Sequence, residues 1–234
     1  MSSVNPAVEK RAAENPARKS AAHPSGRGSA SESPAVPATR MRAADRRELI
    51  LEAASEVFGE LGYGGATTDK VAKAAGVSQP YVVRMFGTKE QLFLEVLRRA
   101  GARLLAVFRA ELAKGPNTPE APLGRRFGLA YVELLRDRGI LLSLMHGFVM
   151  GSDPVIGPAA REGFLDVYRF LRREAGFDAE EVRQFLAGGM LLNTLVGLRM
   201  SDDYESDMDA AECMATAAPQ KLEVLLELGE ATRA

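Results

Sequence analysis

Cysteine and histidine are scarce in this chain, which has only Cys213, His23 and His146. A single cysteine excludes an internal disulfide framework and fits a reducing compartment such as the cytoplasm. The three residues also form no zinc-type ligand cluster, so we expect no metal. No nucleophile–base–acid set and no glycine-rich phosphate loop is visible, so we expect no cofactor and no enzymatic activity.

Long hydrophobic runs are missing as well. The longest apolar stretch, residues 139–151, is too short to span a bilayer, and the N-terminus lacks the apolar core of a signal peptide. We therefore expect no membrane partner. No segment alternates apolar and polar residues with period two, so the sequence predicts an all-α fold. Residues 201–212 hold six acidic residues and no base, but the glycine of a calcium loop is absent, which favours a solvated loop.

Charge and composition divide the chain unevenly. Residues 1–39 and 40–100 each carry a net charge of +2, whereas residues 101–234 carry −5. Residues 1–40 have no aromatic residue, leucine or isoleucine and are predicted to be a disordered arm. Its scattered lysines and arginines would attract DNA weakly and without specificity. Alternatively it is a passive tail, or Met41 is the true start.

The most informative segment is residues 67–86, which reads as a helix-turn-helix. Ala72 is small where two helices must cross, and Gly76 supplies the positive φ that the turn requires. Val77 and Val82 are spaced to bury between the two helices. The segment therefore predicts a short helix presented to the major groove of DNA, although small residues and glycine also mark ordinary helical hairpins.

Local signals predict several helix boundaries. Ser78 is a candidate cap of the second helix of the motif, and Pro80 falls in its first turn, where a missing N–H costs nothing. Thr88 is expected to cap a long fourth helix, and Asp178 with Glu181 resembles a capping box. The last helix is expected at about residues 210–228.

Residues 46–97 resemble the DNA-binding domain of the TetR/AcrR family of one-component transcriptional regulators. The matching residues are Phe58, Gly62, Tyr63, Thr67, Val71, Ala72, Ala75, Gly76, Val77, Ser78, Phe86, Lys89, Leu92 and Phe93. Two positions depart from the family pattern, which usually has an aromatic residue at Val83 and often histidine at Met85. This chain instead carries Tyr81, so its DNA contacts are expected to be arranged differently.

The resemblance implies a fold and a function. Residues 41–92 are expected to form a three-helix DNA-binding domain, and residues 93–234 a helical body for effector binding and dimerisation. The last two long helices, about 179–199 and 211–228, would pair across a two-fold axis. The function implied is a ligand-released repressor that binds an inverted-repeat operator in double-stranded DNA as a homodimer. The alternative is a helical interaction module with non-specific DNA binding.

The predicted DNA contacts are of two kinds. Those expected to reach base edges are Gln79, Pro80, Tyr81 and Arg84, and those expected to bind phosphates are Thr67, Thr68, Ser78 and Lys89. Glutamine pairs bidentately with adenine and arginine with guanine, while Pro80 would contact a thymine methyl group.

The body is expected to hold a pocket for a small apolar or aromatic effector. The candidate lining residues are Phe108, Phe127, Tyr131, Met145, His146, Phe148, Phe164, Tyr168, Met190 and Asn193. His146 and Asn193 are the polar exceptions on apolar faces. Each is expected either to anchor a ligand or to be a satisfied buried polar group.

Overall fold

The computed structural model describes residues 42–217, 219 and 222–230, and in this part of the chain it is helical, with no strand. The helices are α1 (Ala43–Gly65), α2 (Thr68–Ala74), α3 (Gln79–Phe86), α4 (Lys89–Ala113), α5 (Leu123–Leu134), α6 (Arg138–Val149), α7 (Ile156–Arg169), α8 (Ala179–Gly197), α9 (Met208–Ala217) and α10 (Leu222–Glu230). A π-helical turn, Phe170–Glu174, continues α7. The all-α prediction is confirmed, and the arm predicted at residues 1–40 lies outside the described residues.

The turn between α2 and α3 is closed by two backbone hydrogen bonds. The N–H of Val77 donates to the carbonyl of Ala72 at 2.9 Å, and that of Gly76 donates to Lys73 at 3.2 Å. This pair of bonds is a Schellman motif, which requires a left-handed residue at its centre. Gly76 has φ +63°, so the prediction that the turn needs a glycine here is confirmed.

Side-chain caps fix the starts of several helices. Thr67 Oγ1 accepts the N–H of Lys70 at 3.1 Å and caps α2. Thr88 and Asp178 each form a reciprocal capping box, as predicted, with the residue three positions later. The predicted cap at Ser78 is wrong, because its side chain makes no capping bond.

The reason for the missing cap lies in the first turn of α3. A capping side chain bonds the second or third N–H of the helix. Pro80 has no N–H to offer, and the N–H of Tyr81 already donates to the backbone carbonyl of Ser78 at 3.0 Å. The hydroxyl of Ser78 is therefore left exposed at the start of α3.

The first four helices share one core. Gly62 interrupts α1 with φ +66°, so that Tyr63 turns back onto Phe58 and Phe93, with ring centroids 6.2 and 5.2 Å away. The buried residues of this core lie between Ile50 and Leu97 and are joined by Ile156 from α7. We call α1–α3 with the first turns of α4 the head, and the remaining helices the body.

The C-terminal end departs from expectation. The single helix predicted at about 210–228 is instead two helices, α9 and α10, with Pro219 between them. Proline lacks an N–H and disfavours helical backbone at the residue before it. Val224 and Leu225 lie on the segment that we expected to pair across a two-fold axis, but they are buried in the subunit's own core against α8.

The head is fixed to the body by close packing of α6 on α1. Gly139 lies so close that a Cβ atom there would stand 2.9 Å from the backbone carbon of Ser55. One turn later, Ser143 Oγ donates to the carbonyl oxygen of Ser55 at 3.1 Å. His146 Nε2 then lies 3.3 Å from the carbonyl oxygen of Gly59. Three positions of α6 therefore contact the main chain of α1 rather than its side chains.

Candidate functional site

The outer face of α3 exposes Pro80, Val83 and Arg84, while Val82 and Phe86 are buried against the head core. Val83 is 40% exposed, which is unusual for a valine in a short helix with an apolar core beneath it. Sequence reasoning missed Val83. Its position three residues after Pro80, on the same helical face, was the signal that would have found it.

Gln79 and Tyr81 lie at opposite edges of this face and are half-buried. Gln79 Nε2 donates to Thr68 Oγ1 at 3.2 Å, which ties the start of α3 to the start of α2. The carbonyl oxygen and the second N–H of the Gln79 amide remain for a base edge, which is the pair of groups that adenine recognition needs. The structure therefore brings together two of the predicted contacts, Gln79 and Thr68.

The predicted phosphate-binding residues differ in their exposure and in the contacts that they already make within the protein. Thr67 and Ser78 are exposed at the starts of α2 and α3. Lys89 is instead engaged within the head: its Nζ donates to the carbonyl of Tyr63 at 2.9 Å and lies 4.3 Å from the centre of the Tyr63 ring. This contact joins the end of α1 to the start of α4, a structural role that the sequence did not indicate.

The body contains a cavity of about 530 Å³ that is bounded by α4 to α8 and opens to solvent. Six of the ten predicted lining residues surround it: Phe108, Tyr131, Phe148, Phe164, Met190 and Asn193. Sequence reasoning missed the wall that α4 provides around Gly101 and Leu105, and the contribution of Phe185 from α8. Most of the wall is apolar, which suits an apolar ligand.

The other four predicted residues do not line this cavity. Phe127 is fully buried among other phenylalanine rings, and Tyr168 is 41% exposed on α7. Leu144 and Phe148, one turn apart on α6, face the cavity. Met145 follows Leu144 by one residue, a rotation of about 100°, and packs against the α8–α10 core. His146 follows by two residues, about 200°, and reaches α1.

A polar pair interrupts the apolar wall. The hydroxyl of Tyr131 on α5 donates to Asn193 Oδ1 on α8, and Asn193 Nδ2 lies 3.9 Å from the sulfur of Met190. Burial raises the pKa of Tyr131 to about 12, although the Asn193 hydrogen bond acts in the opposite direction. Tyr131 is therefore a neutral donor at ordinary pH. Because a thioether is a weak acceptor, the Asn193 amide keeps donor capacity for a ligand oxygen.

The mouth of the cavity carries charges that are paired with one another. Arg109 makes a two-bond contact with Glu174, at 3.0 and 2.9 Å. Arg169 contacts Glu162 and Asp166, at 2.6 and 2.9 Å. Hydrogen bonding to these arginines lowers the pKa of Glu174 and of Glu162. The mouth thus adds little net charge, which also suits a neutral ligand.

In residues 42–217, 219 and 222–230 no group of three or more histidine, cysteine, aspartate or glutamate side chains is placed to hold a metal ion. In the same residues, no helix has both the length and the apolar character that crossing a membrane demands.

Comparison with known proteins gives the same picture of the head. A family model described as bacterial regulatory proteins of the tetR family matches residues 50–96. The transcriptional repressor AcnR of Corynebacterium efficiens is 40% identical over 67 residues, which cover 29% of this chain and 36% of AcnR. That similarity spans only about a third of the relative.

Similarity also extends into the body. The transcriptional activator FasR of Mycolicibacterium smegmatis is 29% identical over 175 residues, which cover 71% of this chain and 78% of FasR. The crystal structure of the multidrug binding protein EbrR complexed with ethidium is 26% identical, with a TM-score of 0.52 over 80% of this chain and 99% of EbrR.

These similarities agree with the helix-turn-helix geometry of the head, the all-helical body and the cavity. The relatives include both an activator and a repressor, and both carry the helix-turn-helix type in their names. A DNA-binding head joined to a helical body is the arrangement that the sequence motif predicted. Residues 50–96 match the tetR family of bacterial regulatory proteins, and the chain as a whole is similar to helix-turn-helix transcriptional regulators of that family.

Proposed function

We propose that this regulator is a homodimeric repressor that binds an inverted-repeat operator and is released by a small apolar or aromatic effector. The observation that carries the proposal is the exposed outer face of α3, held by the closed turn after α2. The head, residues 41–92, supplies the DNA contacts, and the body, residues 93–234, supplies the dimer contact and the cavity. The boundary falls within the first turn of α4, so one continuous helix joins the two parts.

Base recognition is assigned to the outer face of α3. Pro80 and Val83 present apolar surface that fits a thymine methyl group, and Gln79 offers an acceptor and a donor to adenine. Ser78 offers a free hydroxyl group to the flanking phosphates, and Thr67, whose oxygen caps α2, can still donate its O–H to them. Lys89 is a weaker candidate than the sequence implied, since its ammonium group already binds Tyr63.

Dimerisation is assigned to the outer face of α8. Along it Ala187, Leu191, Thr194 and Leu198 recur at helical spacing and are exposed, with Leu191 43% and Leu198 65% exposed. Thr194 Oγ1 already donates to the carbonyl of Met190 at 2.9 Å, so this hydroxyl loses nothing on burial. The two-fold axis of a dimer places two α3 helices in successive major grooves about 34–36 Å apart.

Effector release is assigned to the cavity between α4 and α8. EbrR, a structural relative, holds the aromatic cation ethidium. In this chain the apolar wall and the spare donor of Asn193 favour a ligand with an apolar or aromatic frame and one acceptor oxygen. Helix α4 runs from the head into the cavity wall, so a ligand that prefers a tilted α4 lowers DNA affinity by its differential binding free energy.

The test of DNA recognition is selection from random duplex DNA by the purified protein, followed by sequencing. We expect an enriched inverted repeat whose half-site centres are about ten base pairs apart. Gln79→Ala should lose the preference at one position of each half-site, while Glu205→Ala, in an exposed loop of the body, should keep it. Salt-dependent binding with no enriched sequence would instead support the helical interaction module with non-specific DNA binding.

Filling the cavity should abolish effector binding without disturbing the fold. Gly101 lines the cavity, and a Cβ atom there would meet nothing within 4 Å, so Gly101→Phe places a ring in empty space. We expect affinity for the neutral dye N-phenyl-1-naphthylamine, measured by fluorescence titration, to fall at least about tenfold through loss of the apolar contact.

A matched control exists on α5. Gly128 is also helical, has the same open space at its Cβ position and does not line the cavity. Gly128→Phe should therefore bind the dye as the original protein does. If both variants bind it equally well, the cavity is not the site of the dye, and the assignment of the effector to it fails.

A further inference from the structure

Two arginines from different helices converge on one aromatic ring in the head. The guanidinium carbon of Arg46, in the first turn of α1, lies 5.5 Å from the centre of the Tyr81 ring. That of Arg84, one turn after Tyr81 on α3, lies 5.0 Å from the same centre. Each distance is within the range of a cation–π contact. The ring of Tyr81 therefore links α1 and α3 through two cations.

Neither guanidinium is neutralised within the described part of the chain. No ion pair of Arg46 or Arg84 occurs among residues 42–217, 219 and 222–230. The neighbouring arginines are paired: Arg47 with Glu95 at 2.9 Å, and Arg99 with Glu48 at 3.0 Å. Arg47 and Arg99 are therefore paired with carboxylates. Arg46 and Arg84 instead contact the Tyr81 ring.

This arrangement places two like charges beside one ring in the free protein. Two like charges held around one ring repel each other, and a cation in the first turn of a helix is disfavoured by the helix dipole. Locally unfavourable features of this kind are typical of functional positions. An anion bound by both guanidiniums would remove the repulsion, and a DNA phosphate is the anion that a helix-turn-helix head meets.

We propose that Arg46, Tyr81 and Arg84 form a phosphate clamp in which the Tyr81 ring positions both arginines on one backbone phosphate of each half-site. Tyr81 is then a positioning residue, and its hydroxyl is not needed. The clamp rests on the proposed DNA-binding function and changes the roles that the sequence gave to Tyr81 and Arg84, which were base contacts. Arg46 was not among the predicted contacts.

The clamp also explains the departure from the family pattern at Val83. Two residues on a helix are separated by about 200°, so an aromatic residue at 81 instead of 83 points to a different side of α3. In this structure that side faces Arg46 of α1. The exchange leaves the small, exposed Val83 on the face that meets the base edges.

The test measures affinity for the selected operator as a function of salt concentration. Each phosphate contact contributes about −0.9 to the slope of log K against log salt, and a homodimer carries two clamps. We expect Arg46→Gln to weaken both clamps and to make the slope less negative, by at most about 2, with base preferences unchanged. Tyr81→Phe keeps the ring, so its salt dependence should match that of the original protein. Tyr81→Leu removes the ring, so its slope of log K against log salt should become less negative, as in Arg46→Gln.

The matched control is Arg47→Gln, which removes an adjacent arginine that is already paired with Glu95. Its slope should not change. The clamp would be overturned if Arg46→Gln left the salt slope unchanged. It would also be overturned if Tyr81→Phe changed the slope as much as Tyr81→Leu does. Thermal unfolding of each variant separates these outcomes from misfolding. If the original protein itself selects no operator, the proposed function fails before the clamp is tested.

Discussion

Replacing Leu191 by glutamate is expected to convert the proposed homodimer into a monomer and to lower affinity for the proposed operator at least about 100-fold. Leu191 lies at the middle of the exposed α8 face, between Ala187 and Thr194. Across a two-fold axis each new carboxylate would be buried without a partner and close to its own copy. The monomer keeps one half-site contact but loses the effective concentration that the second subunit provides.

The measurement combines light scattering, which gives the mass in solution, with fluorescence anisotropy on the operator. Val149→Glu is the matched control, because Val149 is also an exposed apolar residue, 76% exposed, at the far end of α6. It should leave both mass and affinity unchanged. A Leu191→Glu protein that remains dimeric would show that subunits meet through another surface.

Gly139→Ala is expected to lower the free energy of unfolding by about 1–3 kcal/mol, the cost of overpacking a close contact. The added Cβ atom would stand 2.9 Å from the backbone carbon of Ser55 and 3.0 Å from the backbone nitrogen of Glu56. These atoms belong to the interior of α1, so they cannot yield as a flexible side chain does. Helix α6 must move away, which strains the bond from Ser143 to the Ser55 carbonyl.

Urea unfolding followed by circular dichroism measures this effect. Gly128→Ala is the control, because a Cβ atom at Gly128 meets nothing within 4 Å. Since alanine is the better helix former, that variant should gain up to about 1 kcal/mol. Equal stabilisation of both variants would mean that α6 and α1 are free to separate, and that the close packing contributes nothing to the union of head and body.

The success of sequence-based prediction depended on how local each signal was. The Schellman turn at Gly76 and the capping boxes at Thr88 and Asp178 involve residues within a few positions of one another. Their patterns can therefore be recognised in the sequence. The cap at Ser78 failed because a second local feature, Pro80, removed the donor it needed. The break between α9 and α10 also has a local signal, Pro219, but the apolar periodicity continues on both sides of it and so resembles that of one helix.

The candidate site was predictable only in part, for a geometric reason. Helical periodicity shows which residues of α6 are apolar, but not which of its faces meets empty space and which meets another helix. Phe148 and His146 both lie on this helix, yet one lines the cavity and the other reaches the Gly59 carbonyl. The contact of Arg46 with Tyr81 joins positions 35 residues apart in sequence, and no local pattern connects them.

The contact of α6 with α1 has a consequence for how such regulators can diversify. Ser143 and His146 reach the main-chain oxygens of Ser55 and Gly59, atoms that every amino acid possesses. At these contacts α6 therefore places few demands on the identity of α1 beyond small residues where the helices touch, although Ile156 of α7 still packs into the head core. We therefore expect a foreign head with small residues at these two positions to dock on the same body, so that the DNA-binding part and the cavity-bearing part are exchangeable.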